Sequence, residues 1–183
     1  MTTALDEVAS LIQRESGIRF AAAQHPFLQA ALGRIGPDRD PVAFLRRASD
    51  PSRRTKLVAR LIDEVTVKET SFLRDRPQLE RIHWRLMLRG ARASGANHLR
   101  VWTVPCATGE EAYSLALLAS EAFAPAEPPV TIFATDISGA ALAHARAGVY
   151  RSRAARDVEP ALQRRYFHRK GEELVVASGC APW

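Results

Sequence analysis

At 183 residues, with 46% hydrophobic, 25% charged and 7% aromatic side chains, the chain has the composition of a soluble globular protein of one large or two small domains, which excludes disordered, collagen-like and membrane classes. Lys and Arg outnumber Asp and Glu by 26 to 20, and since Lys56, Lys68 and Lys170 are the only lysines, nearly all the positive charge is guanidinium, suited to carboxylate or phosphate partners. The surplus is local: residues 1–97 carry 17 basic and 11 acidic side chains, residues 98–183 nine of each. Such a surplus serves nucleic acid, an anionic membrane surface or an acidic protein, or is a solvated face, and charge alone does not choose.

The first 95 residues read as helices. Leu5, Val8 and Ile12 stand at helical spacing before a turn at Ser16 and Gly17. Asp40-Pro41 and Asp50-Pro51 each offer an N-cap carboxylate followed by a proline at the first helical position, where the missing N–H costs nothing. The second start leads into the stripe Leu57, Val58, Leu61, Ile62 and Val65, and a further helix is expected from Pro77 through Leu79, Ile82, Leu86 and Met87. At Ser94, Gly95 and Asn97 the pattern breaks, which puts the expected domain boundary there: a helical domain over 1–95 and an α/β domain over 96–183. Leu99 to Val104 and Val130 to Thr135 read as buried strands, with a helix through Tyr113 to about Phe123 between them and another from Ser138 to Gly148. Strand, helix, strand, helix is a parallel βαβ unit.

In such a unit ligands bind at the carboxyl ends of the strands, which brings the loop 105–111 beside Asp136. Gly109 would let a ligand approach the backbone, the following helix N-terminus offers free N–H groups, and Asp136 can accept the hydroxyls of a ribose. A full G-x-G-x-x-G is absent, and Glu110 and Glu111 at the helix start would repel a pyrophosphate. The pocket therefore prefers a cationic or zwitterionic nucleoside, a description that S-adenosylmethionine fits. The plainer alternative is that the two glutamates only complement the helix dipole.

The run Trp102-Thr103-Val104-Pro105-Cys106-Ala107-Thr108-Gly109-Glu110-Glu111-Ala112-Tyr113-Ser114-Leu115-Ala116 resembles the nucleotide loop of the CheR family of chemotaxis methyltransferases. The resemblance extends upstream to Glu69-Thr70-Ser71-Phe72-Leu73-Arg74-Asp75, and downstream to Ala134-Thr135-Asp136-Ile137-Ser138, Ala145-Arg146-Ala147-Gly148-Val149-Tyr150 and Arg165-Tyr166-Phe167. It implies an S-adenosylmethionine-dependent protein-glutamate O-methyltransferase with an N-terminal all-helical domain, a Rossmann-like domain and a small inserted β-subdomain; the cytoplasmic location is expected instead from the two cysteines, Cys106 and Cys180, and from Asp6 and Glu7 where a secretory signal would be basic. Its expected substrate is an acidic helical protein, a chemoreceptor cytoplasmic domain, with no nucleic acid partner and no membrane insertion. By that resemblance Thr70 and Arg74 reach the cofactor, Glu110 or its neighbour Glu111 contacts it, and Asp136 holds the ribose, alongside Gly109. A glutamate acceptor is already ionised at neutral pH, so no general base is needed. Arg74 or Arg92 would orient the incoming carboxylate, and the basic helices would dock along the receptor, with Arg53, Arg54 and Arg60 as the residues to test.

Departures from the family pattern are Leu73 for a Phe, Ala107 for Ser, Ala112 for Pro and Lys68 for Asn. The larger expectation is a sheet incomplete at the C-terminal end, because the family's later strands have no counterpart before Trp183, which makes a non-catalytic interaction module the alternative reading. Cys106 with His25, His83 or His98 is a remote candidate for a thiol nucleophile and base. His144 and His168 are not at ligand spacing, so no metal is expected. Phe20, Phe27 and Phe44 are expected in a core, Trp84 and Trp102 at a domain interface, and Cys180 to Trp183 in an unstructured, exposed end.

Overall fold

A computed structural model describes residues 2–36 and 40–177; Cys180 to Trp183 lie outside the described residues. The chain divides into two units, Met1–Val67 with Ile137–Gly139, and Lys68–Asp136 with Ala140–Trp183. This division falls earlier than the break at Ser94 to Asn97. The reason is the helix before that break: it buries Trp84 and Leu88 against Leu99, Leu115 and Ile132, and so packs with the strands that follow it.

The first unit contains α1 (Ala4–Ser16), α2 (His25–Ile35), α3 (Pro41–Ala48) and α4 (Pro51–Val65). Each start has a local cause. The Thr3 hydroxyl accepts the Asp6 N–H while Asp6 reaches back to Thr3, a capping box; Asp40 accepts the Val42 N–H at 3.0 Å and Asp50 the Ser52 N–H at 2.9 Å. Helix α1 stops at Gly17, whose φ of 77° suits glycine and lets its N–H bond the Gln13 carbonyl. The apolar stripes meet in a core that includes Ile12, Leu28, Leu32, Phe44 and Leu61, each worth about 1.5–3 kcal/mol when fully buried. Phe20 packs partly against this core, but Phe27 does not: it is exposed on α2, whose inward residues are Leu28, Ala31 and Leu32. Ser138 is fully buried, its hydroxyl donating to Asp63 at 2.7 Å.

In the second unit the helix expected from Pro77 is two pieces, α5 (Arg76–Leu79) and α6 (Trp84–Ala93). Between them the Arg81 and Ile82 N–H groups bond three residues back, to Gln78 and Leu79, and the chain leaves the helix. Helix α6 then buries Trp84 and Leu88 and exposes Leu86 and Met87. Strands β1 (Leu99–Thr103) and β2 (Val130–Ala134) pair in parallel, Leu99 opposite Val130 and Thr103 opposite Ala134, with α7 (Glu110–Phe123) between them in the chain. Then come α8 (Gly139–Ala147), β3 (Val149–Arg151), a 3-10 turn at Ser152–Ala155, α9 (Pro160–Tyr166), β4 (Phe167–Lys170) and β5 (Glu173–Val176). The last three strands form an antiparallel sheet in the order β3-β5-β4.

Helix α7 is buried on two sides. Tyr113 and Leu117 join Phe72, Tyr150 and Phe167 in one cluster; Ala112, Leu115 and Ala119 join Trp84 and Ile132 in another. That explains a helix apolar nearly all round. The β1–β2 sheet has one face in the second cluster, through Leu99 and Ile132, while Trp102 is exposed and bonds Thr135 through its indole N–H. Trp102 is therefore not a packed residue; Trp84 is. The whole is a mixed α/β chain in which no helix among the described residues is long and apolar enough to cross a membrane.

Candidate functional site

Two segments of the second unit are tied together at the start of α7. Phe72 is fully buried, edge-on to the rings of Tyr150 and Phe167 at 4.9 Å each, and its N–H bonds the Ala154 carbonyl at 3.0 Å. Next along the chain, the Leu73 N–H donates to the Ser114 hydroxyl at 2.8 Å, and that hydroxyl donates to the Glu110 carbonyl at 2.6 Å. Leu73 and Asp75 both adopt positive φ, a conformation side chains disfavour and only surrounding structure maintains. Arg74 lies between them, with Nη1 donating to the Glu69 carbonyl at 2.8 Å.

The loop after β1 is held by its neighbour. The Cys106 N–H bonds the Thr135 carbonyl at 3.0 Å and the Ala107 N–H bonds the Asp136 carboxylate at 2.8 Å, so Asp136 fixes the backbone of this loop. Gly109 has φ 98°, and a Cβ there would sit 2.7 Å from the Cβ of Ala145 and 3.0 Å from the Tyr150 hydroxyl. Its missing side chain thus makes room for α8 and Tyr150, and its N–H is bonded to the Cys106 carbonyl. This replaces the expectation that Gly109 opens its backbone to a ligand. Burial, with a smaller contribution from the Asp136 charge, raises the Cys106 thiol above its ordinary value; its sulfur faces the Ala107 carbonyl, and no described histidine bonds it. A thiol nucleophile has no support here.

The two glutamates have different surroundings. Glu111 is exposed and accepts the Thr103 hydroxyl. Glu110 is 5% exposed, accepts the Thr108 hydroxyl at 2.6 Å, and forms no ion pair among the described residues. Tyr150 donates its hydroxyl to the Thr108 carbonyl at 2.7 Å; burial first, then the Glu110 charge, pushes its pKa up, so it stays a donor.

These groups border a cavity of about 1050 Å³, large enough for a nucleoside, lined by Thr70, Arg74, Glu110, His144 and Tyr150 among others. Of the residues expected at a site, Thr70, Arg74 and Glu110 come together here. Gly109 and Asp136 are not among the lining residues and hold the 105–109 loop, and Arg92 is exposed on α6, outside the lining. The donor set fits the expected ligand: a buried carboxylate without a cationic partner among the described residues calls for a positive group, and the Arg74 guanidinium suits a carboxylate end. Sequence reasoning missed the roles of Ser114 and Tyr150. A serine four residues after Glu110 on an otherwise buried helix was the available signal for the first.

Residues 68–178 match the family described as CheR methyltransferase, SAM binding domain, more than half of the chain. The chain belongs to the CheR methyltransferase family. It is 34% identical over 116 residues to chemotaxis protein methyltransferase 1 of Pseudomonas aeruginosa, covering 61% of this chain and 42% of that protein. With the chemotaxis protein methyltransferase of Klebsiella aerogenes the identity is 30% over 168 residues, covering 88% of this chain and 54% of that protein. An uncharacterized 104.1 kDa protein of Rhodobacter capsulatus is 32% identical over 94% of this chain, which is 17% of that protein. The chain thus spans about half or less of the length of these relatives. The CheR match begins at Lys68, where the second unit begins, and takes in the whole cavity lining.

Proposed function

We propose that the chain is an S-adenosylmethionine-dependent protein-glutamate O-methyltransferase of the CheR type, with a Rossmann-like β1-α7-β2 core, acting in the cytoplasm on glutamates of an acidic helical protein such as a chemoreceptor. The observation that carries the reading is Glu110, a buried carboxylate with no cationic partner among the described residues, on one cavity with Thr70 and Arg74. Family membership and the names of the relatives support it.

In this reading Glu110 faces the positively charged part of the donor, Arg74 its carboxylate, and Asp136 keeps the 105–109 loop in place, with one oxygen on Ala107. When bound, the donor supplies a methyl group on a sulfonium sulfur. An acceptor glutamate, ionised at neutral pH, needs no base; the protein has only to align it and exclude water. The basic helices of the first unit would dock the acceptor. Arg54 is paired with Glu15 at 2.6 Å and Arg53 with Asp50 at 3.3 Å, while Arg60 is exposed with no ion pair among the described residues, which makes Arg60→Glu the sharpest docking variant.

The test is incubation of the full chain with labelled S-adenosylmethionine and a chemoreceptor cytoplasmic fragment, followed by mass spectrometry. Base-labile methyl esters on glutamates, lost when those positions are glutamine, are expected. A folded chain that binds the donor and esterifies no glutamate would contradict the reading.

A further inference from the structure

The cavity wall carries six cationic side chains, Lys68, Arg74, Arg76, Arg151, Arg153 and Arg156. Arg74 donates to the Glu69 carbonyl, Arg76 pairs with Glu80 at 2.6 Å and Glu159 at 2.9 Å, Arg156 pairs with Asp157, and Lys68 is engaged as well. The guanidinium groups of Arg151 and Arg153 alone among the six have no hydrogen bond or ion pair with any described residue.

Their backbone, in contrast, is firmly held. Arg151 ends β3 opposite Glu173 of β5. The Ser152 N–H and hydroxyl both bond the Glu172 carbonyl, at 3.1 and 2.8 Å. Ala154 accepts the Phe72 N–H, and the carbonyl of buried Ala155 accepts the Gln163 amide at 2.9 Å. Two uncommitted guanidiniums on a braced turn, beside a cavity whose other cations each have a contact within the protein, form a ready receptor for an anion from outside. The donor carries one carboxylate, for which Arg74 already stands on the opposite segment. The remaining anion of the reaction is the acceptor carboxylate.

We propose that Arg151 and Arg153 bind the glutamate side chain of the incoming acceptor and orient it in the cavity, the task that sequence reasoning gave to Arg74 or Arg92. The inference rests on the methyltransferase reading and deepens it by naming the acceptor-binding residues. Guanidinium is suited to this, since its fork matches a carboxylate in two parallel hydrogen bonds.

The test uses the full chain saturated with S-adenosylhomocysteine and a fluorescent helical peptide carrying a pair of glutamates, with a glutamine version as control, read by anisotropy at low salt. The unaltered chain is expected to prefer the glutamate peptide. Arg151→Gln with Arg153→Gln should weaken that peptide about tenfold, the size of a charge-assisted contact, and leave the glutamine peptide and S-adenosylhomocysteine affinity unchanged. Arg151→Lys with Arg153→Lys should recover part of the loss, because charge remains and the fork does not. Equal affinity of the Gln variant for the glutamate peptide, or no preference in the unaltered chain, would overturn the inference while leaving the donor site standing. Failure of the unaltered chain to bind S-adenosylhomocysteine would instead remove the methyltransferase reading and this inference with it.

Discussion

The four helices of the first unit share a core of apolar side chains, with Ser138 buried on Asp63, whereas the second unit buries Thr103, Glu110 and Ser114 beside Tyr113, Leu115 and Leu117. The second unit also holds all three non-glycine residues at positive φ among those described, Leu73, Asp75 and Ala107. Buried polar groups and strained backbone both raise the free energy of a fold, and of these residues Leu73, Asp75 and Glu110 line one cavity. Among the described residues the first unit carries one such group, Ser138, and the second unit holds the rest.

Glycine substitutions give the largest expected contrast. Gly109→Ala places a Cβ 2.7 Å from Ala145 at φ 98° and should destabilise the second unit by about 2–4 kcal/mol, from backbone strain plus overpacking. Gly17→Ala has a similar φ of 77° with nothing within 4 Å, and should cost only the backbone part, about 1 kcal/mol. Urea denaturation of the two variants checks this; equal losses would erase the distinction. Next in size is Ser114→Ala, which leaves the buried Leu73 N–H without its acceptor and should cost about 1–3 kcal/mol. Because that bond links the segment of Thr70 and Arg74 to α7, donor affinity should fall as well, measured by calorimetry. Ser52→Ala on α4 is exposed, keeps the Asp50 cap on its N–H, and should change stability by less than about 0.5 kcal/mol.

Smaller effects separate the units by pH. The raised Cys106 thiol stays protonated in the folded chain while the unfolded chain ionises above its ordinary value of 9.0, so stability falls as pH rises through that range. Cys106→Ala should flatten this alkaline limb, and alkylation of the native thiol at pH 8 should be slow. In the first unit Asp50 is held below its ordinary value of 3.8, first by the Ser52 hydroxyl and then by the Ser52 N–H. Its contribution is present above 3.8 and is lost as pH falls through the lowered value. Asp50→Asn, which still caps, should flatten the acid limb of a thermal-melt series with little change at pH 7. Smallest of all is Arg92→Ala, exposed and away from the cavity, which should leave donor affinity unchanged.

The same contrast sets how much was legible in the sequence. Helices α1, α3 and α4 follow from local signals, an Asp-Pro start or a threonine cap and a periodic stripe, because their cores are made by those stripes. Strands β1 and β2 are legible as β-branched and aromatic runs, but not the exposure of Trp102, since composition does not reveal which side of a strand is buried. Strand β4 escaped the reading because Phe167-His168-Arg169-Lys170 is mostly polar and exposed. At the site, the residues of the motifs were named from their order, yet their roles depend on contacts far apart in the chain. Glu110 and Glu111 are adjacent and look equivalent until Thr103 takes the second and burial takes the first. Ser114 gains its meaning only from Leu73, 41 residues earlier.

The most direct measurement is calorimetric titration of the full chain with S-adenosylmethionine, beside a Glu110→Gln variant of the same thermal stability. Micromolar binding that weakens at least about tenfold when the buried charge is removed is expected. Unchanged affinity in the variant, or no binding by a folded chain, would contradict the claim that Glu110 was left without a cation in order to receive one.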